Sequence, residues 1–354
     1  MTQITRRRFT AGSAASLALA GGGTFAKAAT AVNSGTSFDP LPFVHPELRA
    51  GVAPLMKIFG TMTLEKGNLK MMREGGAKFS RPPLPEPAYT KQMIAGRYGD
   101  PDVPIYIINA GQRAASRPAI LSIHGGGYIL GTAQSELAGA QAIANELDVV
   151  IVSVDYRLAP ECVFPGPLED CYAALKWLYA NAASLGADPN RIAVMGGSAG
   201  GGLAAMLAIA ARNRGEVPLI FQALTYPMLD DRTGSTVQKP PQQGAIMWTP
   251  AANKFGWSSL LGVPAGSRNV PKGSVPAREV NLSGLPPTFI GVGSIDLFVD
   301  EDIDYAQRLV DAGIQTELVV MPGGFHGFDM FTDAPVVMRY RAHYLAALRR
   351  GLGL

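Results

Sequence analysis

A serine between small residues is the strongest chemical signal in the chain. Ser198 lies in Gly-Gly-Ser-Ala-Gly at residues 196–200, which fits the G-x-S-x-G pattern of a nucleophilic serine on a sharp turn. Apolar, β-prone residues precede it and strong helix formers follow it, so the serine is predicted to stand between a strand and a helix. Glycine neighbours make so sharp a turn possible. Because glycine-rich turns also bind phosphates, the pentapeptide alone leaves both chemistries open.

A nucleophilic serine needs a general base and an acid to orient that base, and both are expected after the serine in the chain. His326 lies in a glycine-rich loop after the last predicted strand, whereas His343 falls inside the C-terminal helix. A base must reach the serine hydroxyl, which a loop position permits, so His326 is the predicted base. Asp296 follows a predicted strand and is the favoured acid. Asp300 is the alternative, although it fits the first turn of the next helix, where acids suit the helix dipole.

A run of three glycines is predicted to form an oxyanion hole. Gly125, Gly126 and Gly127 follow a buried strand. The backbone N–H groups of such residues can approach a substrate oxygen closely. The N–H group of Ala199, at the start of the predicted helix, is expected to join them. His124, just before the glycines, is expected to brace the loop by hydrogen bonding.

The composition indicates a globular protein and gives no nucleic-acid signal. The 354 residues are 47% hydrophobic and 17% charged, and the formal net charge is +3. Residues 1–28 hold four positive charges and no acid, so removing them changes the net charge from +3 to −1. Cys162 and Cys171 have neither metal-ligand nor catalytic-cysteine spacing. Cys171 is expected to be a buried free thiol rather than half of a disulfide.

The first 28 residues have the features of an export signal. Thr-Arg-Arg-Arg-Phe at residues 5–9 is a twin-arginine pattern, and a weakly apolar stretch and an Ala-Lys-Ala cleavage site at residues 26–28 follow it. The apolar stretch is too short and too rich in glycine to span a bilayer permanently. We therefore expect a bacterial protein that is exported already folded, is periplasmic or secreted, and is mature from about residue 29. A disordered basic tail is the alternative.

Alternating strands and helices after residue 88 predict an α/β fold with a mostly parallel sheet and helices on both faces. Several strands are continuous apolar runs, which is typical of strands buried on both faces. The predicted strands are residues 90–97, 103–109, 119–124, 149–156, 191–195, 219–225, 288–293 and 316–321. The predicted helices are residues 135–147, 168–185, 199–214, 302–312 and 335–352. Ligands of such sheets bind at the carboxyl ends of the strands, where Ser198 lies.

Two segments fall outside this alternation. Residues 29–88 contain helical pieces at 45–59 and 64–73 and a proline-rich connector, and residues 230–280 form a long insertion within 89–354. An insertion of this length is usually a lid or a binding element. Apolar side chains in and near these segments indicate an apolar pocket, although a core would use the same residue types. The candidate pocket residues are Tyr128, Trp248, Phe255 and Trp257, with Met71 and Met72.

Three motifs in this order resemble the hormone-sensitive lipase family of α/β-hydrolases. They are His-Gly-Gly-Gly at 124–127, Asp-Tyr-Arg-Leu-Ala-Pro-Glu at 155–161 and Gly-Ser-Ala-Gly-Gly at 197–201. The resemblance covers the chain from about residue 89 and implies an eight-stranded core with a helical cap made by the two segments above. It further implies catalytic Ser198, Asp296 and His326, with residues 155–161 bracing the site. The implied activity is the hydrolysis of carboxylic esters, mostly of short acyl chains, without a cofactor.

The chain departs from the family pattern at two positions. Gly197 stands where the family usually has Asp, and Leu297 stands where it commonly has Pro after the catalytic Asp. The first change removes a side chain that could brace the turn, so it bears on the rigidity of the turn and on the rate. Neither change alters the three predicted catalytic residues.

Two other classes of function compete with a carboxylesterase. A non-catalytic binding protein on the same scaffold would lack a member of the triad, and all three members are present here. An amidase, a lactonase or a carbohydrate deacetylase would keep the triad, because leaving-group preference depends on the pocket. The expected partner is a small ester, with no nucleic acid, no metal and no permanent membrane span. The sequence does not predict the oligomeric state.

Overall fold

The computed structural model describes residues 38–59, 64–77, 80–113 and 116–354. The predicted export signal, residues 1–28, lies outside these ranges. No helix within them is long and apolar enough to cross a membrane.

An eight-stranded sheet forms the centre of the described chain, as predicted. Its strands are β1 (Tyr89–Ile94), β2 (Val103–Ile108), β3 (Arg117–Ile123), β4 (Val150–Val154), β5 (Ala187–Gly197), β6 (Phe221–Thr225), β7 (Thr288–Gly293) and β8 (Thr316–Met321). They lie in the order β1-β2-β4-β3-β5-β6-β7-β8. The β1–β2 and β2–β4 pairs are antiparallel and the remaining pairs are parallel, so the sheet is mostly parallel.

Helices cover both faces of this sheet. They are α1 (Arg49–Phe59), α2 (Leu69–Ala77), α3 (Leu137–Leu147), α4 (Gly166–Asn181), α5 (Ala199–Arg214), α6 (Pro250–Leu261), α7 (Val299–Asp311) and α8 (Pro335–Leu352). Buried residues of α4, α5 and α7 belong to one hydrophobic core, and those of α3 and α8 belong to a second core. The sheet therefore separates two cores.

The central strands supply side chains to both cores in alternation. In β3, Leu121 and Ile123 belong to the core beneath α4 and α5, whereas Ile120 belongs to the core beneath α3 and α8. Successive side chains of a strand point to opposite faces, so a strand covered on both sides needs apolar residues at every position. This is why these strands are continuous apolar runs.

The predicted elements differ from the observed ones mainly at their ends. The largest difference among the strands is β5, which was expected at 191–195 but begins at Ala187 and ends at Gly197. Gly196 and Gly197 continue the ladders to β3 and β6, so the strand reaches the serine directly. The residues at both ends have low β propensity, so the sequence did not predict that they belong to the strand. Pairing with the neighbouring strands overrides this local preference.

The N-terminal segment is part of the hydrophobic core. Val44, Leu48 and Val52 are buried with the residues of α3 and α8. The His45 N–H donates to the Gly323 carbonyl at 3.0 Å, in the loop that follows β8. Gly323 has a φ of +62°, and a Cβ there would lie 2.3 Å from the His45 nitrogen, so only glycine permits this approach. The segment thus supports the loop after the last strand.

Arg73 of α2 connects the N-terminal segment to two loops of the core. Its guanidinium donates to the carbonyls of Ile129 and Ala159, both at 2.8 Å, and to both carboxylate oxygens of Glu161 at 2.9 Å. A guanidinium fork matches a carboxylate in this bidentate way, which fixes orientation as well as distance. The helix is therefore held against the loops that carry two of the sequence motifs.

The insertion at 230–280 is also held by buried carboxylates. Asp231, fully buried, accepts hydrogen bonds from the Arg278 guanidinium at 2.7 and 2.8 Å and from the Gly266 N–H at 2.8 Å. Glu301, in the first turn of α7, accepts from the Leu229 N–H at 2.7 Å and from the Thr233 hydroxyl. These bonds give the long insertion a fixed position without regular secondary structure beyond short helices.

Candidate active site

Ser198 lies at the junction of β5 and α5 in a strained backbone conformation. Its φ is +57° and its ψ is −124°, values that a residue with a side chain rarely adopts. The Ser198 N–H donates to the Thr225 carbonyl at 2.9 Å, which fixes the turn to β6. A Cβ on Gly200 would lie 2.1 Å from the Ile123 carbonyl oxygen, so the helix approaches β3 closely only because Gly200 has no side chain.

The structure brings the three residues of the predicted triad into one hydrogen-bonded chain. His326 Nε2 lies 2.9 Å from the Ser198 Oγ, and His326 Nδ1 lies 3.0 and 3.2 Å from the two carboxylate oxygens of Asp296. Asp296 is fully buried and also accepts the Phe298 N–H at 3.0 Å. Asp300, the alternative acid, is elsewhere, in an ion pair with Lys239 at 2.8 Å. This geometry permits a proton to move from serine to histidine while the aspartate holds the ring.

Three aromatic rings enclose the His326 imidazole. The Phe298 ring meets it edge-on with centroids 5.1 Å apart, the Tyr226 ring lies at 4.7 Å, and the Trp248 ring lies at 6.2 Å. His326 is 8% exposed as a result. The rings fix the orientation of the imidazole and keep most of the surrounding water away from it.

The glycine loop has two free N–H groups and one occupied N–H group. The Gly125 N–H donates to Glu136 Oε1 at 2.9 Å. Within the part of the chain that the structure describes, no acceptor is recorded for the N–H groups of Gly126, Gly127 or Ala199. Of the four predicted oxyanion donors, Gly125 thus has its hydrogen committed elsewhere. The other three are available to a substrate oxygen.

His124 braces this loop, as predicted. Its side chain is fully buried, Nδ1 lies 2.8 Å from the Gly125 carbonyl, and its ring stacks on Tyr156 at 4.1 Å. Burial lowers the pKa of His124, so the ring stays neutral and donates through Nδ1. The Tyr156 hydroxyl donates to the His124 carbonyl at 3.0 Å, and Asp155 accepts the Ala133 N–H at 2.8 Å. The motif at 155–161 therefore contacts the glycine loop directly.

The candidate pocket residues have different surroundings. A Cβ on Gly127 would lie 2.0 Å from the Trp248 ring, so the indole covers the oxyanion loop as well as His326. The Trp248 Nε1–H donates to the buried Asn253 at 3.1 Å, which fixes the ring. By contrast, Tyr128 and Trp257 are fully buried and pack on each other at 5.0 Å, and we assign both to the core rather than to the pocket.

The other pocket candidates differ in burial. Phe255 is partly buried against the core, Met71 is 54% exposed, and Met72 is partly buried. His343, on α8, is exposed. Cys162 and Cys171 are free thiols, and Cys171 is fully buried. Among the residues that the structure describes, no group of three or more His, Cys, Asp or Glu side chains is arranged to hold a metal ion.

Sequence reasoning missed three residues beside the triad. The Tyr226 hydroxyl donates to Asp329 at 2.6 Å, and its ring lies 3.7 Å from the position of a Cβ on Gly197. Burial raises the pKa of the Asp329 carboxyl, whereas the Tyr226 hydroxyl and the His326 ring lower it. Glu136 is the third. No motif in the sequence links these three residues to the site.

The chain matches a family model and proteins of known activity. Residues 120–330 match a family described as having the alpha/beta hydrolase fold. The chain is 33% identical to the carboxylesterase NlhH of Mycobacterium tuberculosis over 87% of this chain and 97% of the relative. It is 31% identical to an ethyl acetate hydrolase of Pseudomonas putida over 67% of this chain and 79% of the relative. A solved bacterial heroin esterase is similar with a TM-score of 0.79 and 37% identity, covering 89% of this chain and 99% of that chain.

Proposed function

Because the chain belongs to this family of alpha/beta hydrolases and is a carboxylesterase-type enzyme, we propose that it cleaves short-chain carboxylic esters through Ser198, His326 and Asp296. The observation that carries the proposal is the continuous chain of hydrogen bonds from the serine hydroxyl through the imidazole to the buried carboxylate. A scaffold that only binds ligands would have no need to keep these three groups aligned.

The acylation step transfers one proton and exchanges one bond. Ser198 Oγ bonds to the ester carbonyl carbon while His326 Nε2 accepts the hydroxyl proton, and the carbonyl electron pair becomes the oxyanion. When the tetrahedral intermediate collapses, the bond to the alcohol oxygen breaks and the alcohol takes the proton from His326. Asp296 accepts the Nδ1–H bond throughout and stabilises the imidazolium. Water then repeats the sequence on the acyl-enzyme and releases the acid.

The oxyanion would be stabilised by the N–H groups of Gly126, Gly127 and Ala199. These groups have no recorded acceptor in the described chain, whereas the Gly125 N–H is bonded to Glu136. Each such donor is typically worth about 3 kcal/mol in the transition state. The start of α5 adds the partial positive charge of a helix N-terminus behind the same point.

The preference for short acyl chains rests on Trp248 and on a relative. The indole lies over Gly127 and near His326, so little space remains on that side of the nucleophile. The name of the Pseudomonas putida relative, an ethyl acetate hydrolase, describes a substrate with a two-carbon acyl group. We propose that the N-terminal helices and the insertion at 230–280 act as a cap that limits chain length.

A panel of p-nitrophenyl esters from acetate to laurate tests the proposal with the wild-type protein and Ser198→Ala. We expect the highest kcat/KM at short chains and a fall in kcat of about 10⁴–10⁶ in the variant, because the nucleophile is lost. His343→Ala, at an exposed position on α8, is the control for histidine loss. A residual rate within tenfold of wild type in Ser198→Ala would refute the assignment.

A fluorophosphonate probe separates a narrow specificity from a binding function. If no ester of the panel is hydrolysed but Ser198 is labelled, the serine is activated and the natural ester differs from the panel. If neither reaction occurs in the folded protein, the proposed activity is wrong.

A further inference from the structure

Glu136 has a side-chain arrangement that its place in the fold does not require. It is the last residue of a 3₁₀ turn, Ala133–Glu136, which runs directly into α3. The cap of that turn is Thr132, whose hydroxyl accepts the Ser135 N–H at 3.1 Å, so the Glu136 carboxylate is not needed as a cap. Here the carboxylate turns to the glycine loop and accepts the Gly125 N–H at 2.9 Å. The carboxylate thus holds the loop and has no part in capping the helix.

The contact lies next to the nucleophile. The position that a Cβ on Gly125 would occupy is 3.5 Å from the Ser198 Cβ and 3.7 Å from Glu136 Oε1. Glu136 and Ser198 therefore flank the same glycine. A change in the position of Gly125 would therefore act beside the reacting centre.

Two carbonyls of the glycine loop are also bonded. The Gly125 carbonyl contacts His124 Nδ1 at 2.8 Å, and the Gly126 carbonyl accepts the N–H groups of Ile129 and Leu130 at 3.1 and 2.8 Å. With the Gly125 N–H on Glu136, the peptide planes on both sides of Gly125 are fixed. The N–H groups of Gly126 and Gly127, which would receive the oxyanion, have no acceptor among the described residues.

On this geometry we propose that Glu136 is a positioning residue, whose bond to the Gly125 N–H aims the N–H groups of Gly126 and Gly127 at the substrate oxygen. The inference rests on the proposed ester hydrolysis and adds a residue to it. Oxyanion donors act by being held in place before the reaction, so a loop that loses one anchor loses part of the transition-state stabilisation. Substrate binding in the ground state depends much less on this alignment.

The bond from the Gly125 N–H to Glu136 is possible in both protonation states of the carboxyl. The Glu136 side chain is partly exposed to water. Desolvation by the surrounding protein raises the pKa of its carboxyl to about 7; the Gly125 N–H lowers this pKa and the nearby Asp329 carboxyl raises it. The tyrosines that also face this region, Tyr156 and Tyr226, have pKa values raised well above normal by burial and stay neutral. A neutral acid still accepts the Gly125 N–H through its carbonyl oxygen.

Kinetics of Glu136→Ala and Glu136→Gln test the proposal. Removal of the acceptor in Glu136→Ala should lower kcat for p-nitrophenyl acetate by roughly tenfold to a hundredfold and change KM by less than threefold, because alignment matters in the transition state. The amide oxygen of Gln can still accept the Gly125 N–H, so Glu136→Gln should recover most of the lost kcat. Glu146→Ala, an exposed acid on the same helix paired with Arg349, is the matched control and should behave as wild type.

A second measurement does not depend on catalysis. With ¹⁵N-labelled glycine, the Gly125 amide resonance should move in Glu136→Ala and stay close to wild type in Glu136→Gln.

If wild type hydrolyses esters and Glu136→Ala keeps kcat within twofold, the positioning role is wrong. An unmoved Gly125 resonance in Glu136→Ala overturns the contact itself. If wild type hydrolyses no ester, the proposed function fails separately, and the rate of fluorophosphonate labelling of Ser198 replaces kcat in the same comparison.

Discussion

In the turn at the nucleophile, the strained backbone conformation belongs to Ser198 and not to its neighbour Gly197. Ser198 itself takes a positive φ, whereas Gly197 does not, and a Cβ at Gly197 would meet only the Tyr226 ring at 3.7 Å and the Thr225 carbonyl at 3.9 Å. Both distances are ordinary van der Waals contacts. The position that carries Asp in most of the family is therefore open to a side chain here.

Gly197→Ala should be tolerated and mildly stabilising. A glycine whose backbone conformation suits alanine loses conformational entropy on folding that alanine does not, so we expect a gain of about 0.4–1 kcal/mol in the free energy of unfolding. Thermal unfolding measures the gain, and ester hydrolysis should stay within threefold of wild type.

Gly200→Ala is the opposite case, because its Cβ would overlap the Ile123 carbonyl oxygen at 2.1 Å. We expect this variant to lose stability or to accumulate as insoluble protein. Equal behaviour of the two variants would show that the space beside Gly197 does not matter.

The residues of the site differ in how well sequence predicts them. Ser198, Asp296 and His326 each follow a strand and belong to a recognisable local pattern, so their meeting at one edge of the sheet was predictable. Glu136 and Asp329 have no such pattern. Their contacts with Gly125 and Tyr226 depend on how loops from distant parts of the chain fold over the sheet. The same limit explains why Gly125 was counted as a free donor.

At the scale of elements, the start of α7 shows that a helical sequence pattern does not predict which of its acidic side chains are buried. Asp300 was predicted to lie in a first helical turn, where acids suit the dipole, and it lies there together with Glu301 and Asp302. Only Asp300 is exposed, in its pair with Lys239. Glu301 holds the insertion, and Asp302 is fully buried with no hydrogen-bond partner for either oxygen within the described residues. Tertiary packing therefore gave three adjacent acids three different surroundings.

Asp302→Asn should stabilise the protein, and more so as the pH rises. Burial raises the pKa of Asp302 well above its usual range, and the nearby acids Glu301 and Asp296 raise it further. The folded state then binds a proton that the unfolded state has released above about pH 4, so wild-type stability falls as the pH rises from there toward the folded pKa. Asparagine does not titrate and avoids this loss.

Melting temperatures at pH 5 and pH 8 measure this effect. We expect the difference between Asp302→Asn and wild type to be larger at pH 8. Asp304→Asn, at an exposed position on the same helix, is the control and should show no such change. An equal difference at both pH values would mean that Asp302 is ionised, and stabilised, in the folded protein.

At the scale of the whole molecule, the alternation of strands and helices in the sequence was enough to predict the α/β architecture. Continuous apolar strands and intervening helices predicted a parallel sheet covered on both faces, and the structure has that sheet with its two cores. The path of residues 230–280 was not predictable from local patterns, because buried ion pairs such as that of Asp231 with Arg278 hold it. Such pairs join residues far apart and leave no periodic signal.

We propose that residues 1–28 direct export of the folded enzyme, a prediction that concerns residues outside the described structure. Replacement of both Arg6 and Arg7 by Lys should keep the enzyme in the cytoplasm of a bacterial host, because the arginine pair is the recognised element. Cell fractionation followed by an esterase assay measures the distribution. Arg8→Lys, outside the pair, is the control. Equal periplasmic activity in the double variant would contradict the proposal.

The hydrogen bond between His45 and Gly323 bears on how this enzyme can be recombined with its relatives. The family model spans residues 120–330 and so includes the whole proposed triad, yet Val44, Leu48 and Val52 complete one core and His45 supports the loop that ends in His326. A gene shuffled at the edges of the motif-bearing stretch would pair that loop with a foreign N-terminal segment. Crossovers placed before residue 39 keep the loop together with the segment that supports it. The stretch that must stay together, residues 39–354, is therefore longer than the stretch that the family model matches.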